Sequence, residues 1–148
     1  MENVSKPNTR ISVVLDSNVY IHAINETDSD CLALVKYDLI YLDVMVPLRV
    51  LLEADNNLDE EDTKKLYDIL RNHGIEPDYQ RVPEEMIQRY EALGCKKGDA
   101  VIAAYTELIG ADYLVTQNRR FLKDVQGLPF TVIEAAQAVR LVSPEEEG

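Results

Sequence analysis

Apolar positions in this chain fall into short continuous runs and helical stripes that alternate along most of its length. Ile11-Ser12-Val13-Val14-Leu15 is nearly all apolar and β-branched, the pattern of a strand buried on both faces of a parallel sheet. Asp16-Ser17-Asn18 comes next, three residues favoured at turns and helix N-caps, and Val19 to Ala23 begins a helix. A second helix is expected from about Asp30 to Tyr37. Leu39 to Val44 reads as the next strand. Pro47 then suits the first turn of a helix that carries Val50, Leu51 and Ala54 and ends near Asn56-Asn57.

Further along, Asp59 to Asp62 precede Leu66, Ile69 and Leu70, with Lys64, Lys65 and Arg71 later, a charge order that complements a helix dipole. Gly74 marks the end of that helix. Arg81-Val82-Pro83 introduces another, through Ile87 and Tyr90 to Leu93. The clearest helix opens at Asp99 and repeats Val101, Ile102, Ala104, Tyr105, Leu108 and Ile109 until Gly110. Tyr113-Leu114-Val115 is strand-like and runs into the polar turn Thr116-Gln117-Asn118. Arg119 to Asp124 is expected as a short helix, Phe130 to Ile133 as a last strand, and Ala135 to Leu141 as a last helix. Strands alternating with helices predict an α/β fold, a three-layer α/β/α arrangement with a mostly parallel central sheet and right-handed crossovers. Sheets of this kind bind ligands outside the carboxyl ends of their strands, which directs attention to the residues just after Leu15 and Val115.

Composition narrows the classes. The 148 residues suit one domain (1–148), with a core from about 11 to 141 and a solvated acidic tail over 143–148. An apolar content of 46% is too high for a disordered chain, and no apolar run approaches the ~20 residues of a membrane-spanning helix. MENVSKPNTR contains no secretory h-region, so a soluble cytoplasmic protein is expected, with no membrane partner. Cys31 and Cys95 fit neither a disulfide framework nor a zinc spacing. With 15 Lys+Arg against 27 Asp+Glu the net charge is −12, which argues against a broad basic surface for nonspecific nucleic-acid binding.

Four polar residues carry candidate chemistry, and each also has a local explanation. Asp16 stands at the carboxyl end of the first strand, where it also serves as an N-cap. Glu53 lies beside a buried helical stripe, where a solvated acid is common. Asp99 reads as a helix-start carboxylate, and Asn118 as a turn residue. Asn18 occupies the place where a phosphoaspartate hydrolase usually has a second acid. No Gly-rich phosphate cradle and no GxSxG elbow is present. Together, three carboxylates and an amide oxygen are hard donors suited to Mg²⁺ or Mn²⁺. A divalent cation would remove the repulsion of crowded carboxylates.

Ile11 to Asn18 (ISVVLDSN), the helix of Glu53, Gly98 to Ala104 (GDAVIAA) and Leu114 to Phe121 (LVTQNRRF) resemble, in that order, the motifs of a PIN domain. The resemblance covers about Ile11 to Leu141. It implies a Mg²⁺/Mn²⁺-dependent endoribonuclease, with Asp16, Glu53, Asp99 and Asn118 as catalytic and metal-binding residues. Ser17 and Thr116 match supporting hydroxyl residues. The family often has an acid where this chain has Asn118, so one charge is missing. Compact single-domain members are commonly VapC-type toxins, which implies an antitoxin partner and a homodimer. Lys96, Lys97, Arg119 and Arg120, with Lys123 nearby, are candidates to receive an RNA substrate or are ordinary surface charges.

Other residues carry less. Asp112 and Asp124 read as surface acids. His22 reads as a packing or capping residue, and His73 as part of a helix end. Cys95 precedes Lys96-Lys97, which would raise its thiolate fraction, but no partner for nucleophilic catalysis is evident. Two rival functions stand beside the nuclease: a non-cleaving RNA-binding or assembly module, and a metal-dependent phosphohydrolase of small phosphate esters.

Overall fold

The structure, a computed structural model, describes residues 10–143. The acidic residues Glu145 to Glu147 and the first nine residues lie outside that range. Strand β1 (Ile11–Leu15) is followed by α1 (Ser17–Asn25) and α2 (Ser29–Ala33). Then come β2 (Leu42–Pro47), α3 (Leu48–Asn57), α4 (Glu60–Asn72), β3 (Pro77–Asp78), α5 (Glu84–Ala92) and α6 (Lys97–Leu108). Finally β4 (Tyr113–Val115), β5 (Thr131–Ile133) and α7 (Ala135–Val142) complete the order.

The five strands form one sheet in the order β3-β2-β1-β4-β5, and every pair is parallel. This is the expected three-layer α/β/α architecture. β1 lies in the centre, with Val13 opposite Val44 on one side and Leu15 opposite Val115 on the other. Val13, Val14 and Leu15 are buried, as their unbroken apolar run requires, and each contributes roughly 1.5–3 kcal/mol through burial. From β1 the chain builds outward to β2 and β3, then returns to the other side of β1 as β4 and β5. The order therefore reverses at the β1–β4 junction, where the carboxyl ends of adjacent strands leave a crevice. The backbone N–H of Asp16 donates to Val115 O at 2.8 Å and closes the floor of that crevice.

Several local expectations shift. The second strand runs over Leu42–Pro47, not Leu39 to Val44. Leu39–Tyr41 instead closes a 3₁₀ turn that buries Leu39 and leaves Ile40 and Tyr41 exposed, so an apolar run imitates a strand there. Pro47 ends β2 and caps α3 in an extended conformation, one residue before the first helical turn. The helix expected over Asp30 to Tyr37 is α2 followed by a wider π-helical turn, Leu34–Asp38. Residues 119–124 form turns and no helix. β3 pairs only Pro77 and Asp78 with β2, too little sequence to carry an alternating pattern.

Candidate functional site

Asp16 is the residue around which the crevice is organised. It is the N-cap of α1 and only 3% exposed. Its Oδ1 accepts from the Ser17 backbone N–H at 2.8 Å, and its Oδ2 accepts from Thr116 Oγ1 at 2.7 Å. Asn18 Nδ2 reaches the same Oδ2 at 3.4 Å and Thr116 Oγ1 at 3.2 Å. Thr116 follows β4 directly, so the hydroxyl that fixes Asp16 comes from the neighbouring strand end. Despite these donors the Asp16 carboxyl is pushed up to about 6. Burial is the main cause, opposed by its hydrogen bonds and reinforced by the charges of Asp99 and Glu53.

Glu53 arrives from α3. Its Oε1 accepts from Ser17 Oγ at 2.9 Å, and its Oε2 pairs with Arg49 Nε at 3.1 Å, one turn earlier on the same helix. Asp99 arrives from α6, where it sits in the first turn. The helix starts at Lys97 with Lys96 as its cap, so Asp99 does not open it as expected. Asp99 is partly buried, and its carboxyl is raised by burial and by the charge of Glu53, with Lys96 and Arg49 acting in the opposite direction.

Gly98 lies where α6 approaches the Arg49 and Glu53 side chains of α3. A Cβ at that position would lie 2.5 Å from Glu53 Oε2 and 3.0 Å from Arg49 Nη2. Glycine leaves room for both groups at the start of α6; a larger residue would push the ends of these two side chains aside.

The structure thus brings Asp16, Glu53 and Asp99 within mutual electrostatic influence, with Ser17 and Thr116 bonded to the first two. Asn118 stands at the same edge but is turned to local use. Its Oδ1 accepts from the Arg120 N–H at 3.1 Å, and its own N–H donates to Thr116 Oγ1 at 3.1 Å. Asn118 and Asp99 share a cleft of about 440 Å³ with Lys96, Arg120, Lys123 and Asp124. Lys97 and Arg119 face elsewhere: Lys97 toward Glu84 at 3.8 Å and Arg119 toward Glu134 at 3.5 Å.

The donor set suits a hard divalent cation: carboxylates that destabilise one another beside a neutral amide and two hydroxyls. As placed, no three His, Cys, Asp or Glu side chains among the described residues converge tightly enough to hold one ion. Both Glu53 oxygens are already engaged, one by a hydroxyl and one by a guanidinium. Each of these oxygens keeps a further lone pair, so drawing the three carboxylates onto one ion calls for a shift of side chains and not for the loss of a partner.

Residues named from sequence for lesser roles also have definite positions. Asp112 lies at the opposite, amino end of the sheet, where its Oδ2 accepts from Ser12 N at 2.9 Å and Ser12 Oγ at 3.1 Å. His22 Nδ1 bonds Thr27 Oγ1 at 2.6 Å, and His73 ends α4 with Nδ1 on Ile69 O at 2.9 Å. The Cys95 thiol is pushed up to about 11 by burial and by Asp99, so the adjacent lysines do not make it a reactive thiolate. Cys31 is buried.

Three participants were not singled out from sequence: Arg49, Gly98 and Gln117. Gln117 ties the crevice together, with its N–H on Asn18 Oδ1, its Nε2 on Asp28 Oδ2 and its Oε1 on the Ala135 N–H. The i,i+4 spacing of Arg49 and Glu53 was the one readable signal among them.

Comparison with known proteins gives a consistent placement. A family model for the PIN domain matches residues 13–128. A chain in the crystal structure of VapBC2 from Rickettsia felis bound to a DNA fragment from their promoter superposes with a TM-score of 0.60 at 19% identity. That match covers 84% of this chain and 98% of the other, a likeness of fold. No curated protein matches the sequence significantly. Among the described residues, no helix is long and apolar enough to cross a membrane.

Proposed function

The chain belongs to the PIN-domain family, and on that premise we propose that it is a Mg²⁺- or Mn²⁺-dependent endoribonuclease. The observation that carries this reading is the electrostatic crowding of Asp16, Glu53 and Asp99 at the β1–β4 crevice. There, burial and mutual repulsion raise the carboxyl groups of Asp16 and Asp99. A buried carboxylate that is well hydrogen-bonded and still destabilised is suited to a cation.

In this reading Asp16, Glu53 and Asp99 hold the metal, with Asn118 at the edge of the same site. A bound Mg²⁺ or Mn²⁺ supplies Lewis-acid stabilisation of the phosphodiester and an activated water. Thr116 and the Ser17 N–H fix the orientation of the Asp16 carboxylate, so ligation costs little reorganisation. Ser17 Oγ does the same for one oxygen of Glu53. Lys96, Arg120 and Lys123, which line the cleft beside Asp99, are the cations placed to receive RNA phosphates. Lys97 and Arg119 are less suited, being drawn to Glu84 and Glu134.

Membership of the PIN family in a compact chain extends this reading to the toxin of a toxin–antitoxin pair, with an antitoxin and a second copy of the chain as partners. Growth arrest on expression, relieved by Asp16→Ala, is the expected sign. The direct test is cleavage of labelled RNA in Mn²⁺: the wild type should cut and Asp99→Asn should not. A second reading, a non-cleaving RNA-binding module, is favoured by the engagement of Asn118 Oδ1 with the Arg120 N–H. RNA binding without any metal-dependent cleavage would establish it. Turnover of generic phosphate esters in place of RNA would point instead to a phosphohydrolase.

A further inference from the structure

Arg49 is the least expected member of the site. Its Nε lies 3.1 Å from Glu53 Oε2, and its Nη2 lies close enough to Gly98 that a Cβ there would stand 3.0 Å away. The guanidinium is thus packed between the acid it pairs with and the first turn of α6, the turn that carries Asp99. Ordinary i,i+4 pairs on a helix surface have no such second wall and contribute little. Here the pair is only 39% and 26% exposed at its two side chains and is confined by a neighbouring helix.

We propose that Arg49 is a built-in counter-ion that occupies Glu53 in the metal-free protein and competes with the divalent cation for that carboxylate. The proposal rests on the reading of Asp16, Glu53 and Asp99 as metal ligands. The geometry around Glu53 supports it. One Glu53 oxygen accepts from Arg49 Nε and the other from Ser17 Oγ, so the positive charge nearest Glu53 comes from its own helix, one turn away. Metal entry would set a second cation against the same carboxylate, loosen the Glu53–Arg49 contact and shift the guanidinium toward the outer groove of α3. That groove is lined by Leu48, Leu52, Tyr79 and Arg49 itself.

The test is a Mn²⁺ titration of the purified full chain, followed calorimetrically, in wild type, Arg49→Ala, Arg49→Lys and Lys97→Ala. Removing a cation a few ångströms from the ligands should tighten Mn²⁺ binding by about three- to tenfold in Arg49→Ala. Arg49→Lys keeps the charge without the planar fork and should fall between wild type and alanine. Lys97→Ala removes the same charge from a residue paired with Glu84 and should change affinity by less than about twofold. The melting temperature of the metal-free protein should also fall in Arg49→Ala, while the rise produced by saturating Mn²⁺ grows. Equal gains in Arg49→Ala and Lys97→Ala, or unchanged or weaker binding in Arg49→Ala, would overturn the proposal. Absence of Mn²⁺ uptake in both wild type and Arg49→Ala would overturn the metal reading itself and the role of Arg49 with it.

Discussion

Two aspartates stand at opposite ends of the central strands, and their surroundings differ in kind. Asp112, at the amino end, clasps β1 to β4: its Oδ2 accepts from the Ser12 N–H and hydroxyl, and its own N–H donates to Ser12 O at 2.9 Å. Asp16, at the carboxyl end, has comparable donors in Ser17, Thr116 and Asn18. Asp112 remains exposed to water, whereas Asp16 is buried and faces Glu53 and Asp99. Hydrogen bonding therefore does not separate the two; desolvation and like charge do. A carboxylate satisfied by its donors holds the fold together, and one left destabilised in spite of them is a place for a cation.

The largest expected effect breaks the two ends apart by activity. Asp16→Asn should lower Mn²⁺-dependent RNA cleavage on the order of 100- to 1,000-fold, the scale seen when a preorganised electrostatic contact is removed. Asp112→Asn should stay within about twofold of wild type on the same labelled RNA. If both variants lost activity equally, the distinction between the ends would collapse.

Metal-free stability gives the next contrast, with a definite sign. The folded-state pKa of Asp16, about 6 against an ordinary 3.8, means that the folded chain holds this proton more tightly than the unfolded chain. Stability from this group is therefore present below pH ~4 and is lost as pH rises to about 6, by about 3 kcal/mol in all. Urea unfolding at pH 4 and pH 7, in chelator, should show that loss in wild type and in Asp112→Asn. Asp16→Asn should lack it, and so be more stable than wild type at pH 7 while no longer active. Parallel curves for wild type and Asp16→Asn would contradict the assignment.

Gly98→Ala probes the wall of the site. The new methyl group meets the Glu53 carboxylate first and turns it from its present place, so Mn²⁺ affinity should fall about tenfold, while thermal stability should move by less than about 1 kcal/mol because the flexible side-chain ends give way and alanine favours the helix. Asp112→Ala is the smallest effect. Loss of the Ser12 clasp should cost about 1 kcal/mol, read by urea midpoint, with Mn²⁺ affinity unchanged.

How much of this was legible along the chain depends on the length and strength of each pattern. β1 and α6 were readable because unbroken or helically spaced apolar residues have few other uses. β2 slipped by three residues because Leu39, Ile40 and Tyr41 are as strand-like as the true strand, and only the buried turn at Leu39 separates them. β3 was invisible, since two residues carry no period. Within the site, Asp16, Glu53, Asp99 and Thr116 were visible as residue types following strands or flanking helical stripes. The use of Asn118 in a local turn, and the roles of Arg49 and Gln117, were not.

By itself the sequence determined the layer architecture, since periodicity of burial is a local property written in every few residues. It also placed an acid immediately after β1, because the end of an apolar run and the turn beyond it are adjacent in the chain. Only the tertiary structure decided which charges share a volume. Residues 16, 53 and 99 are far apart along the chain, and their mutual repulsion exists only once α3 and α6 close over the β1–β4 crevice. The same closure sets the Arg49 guanidinium against the start of α6 as well as against Glu53, because packing and Coulomb interactions depend on distance in space and not on distance along the chain.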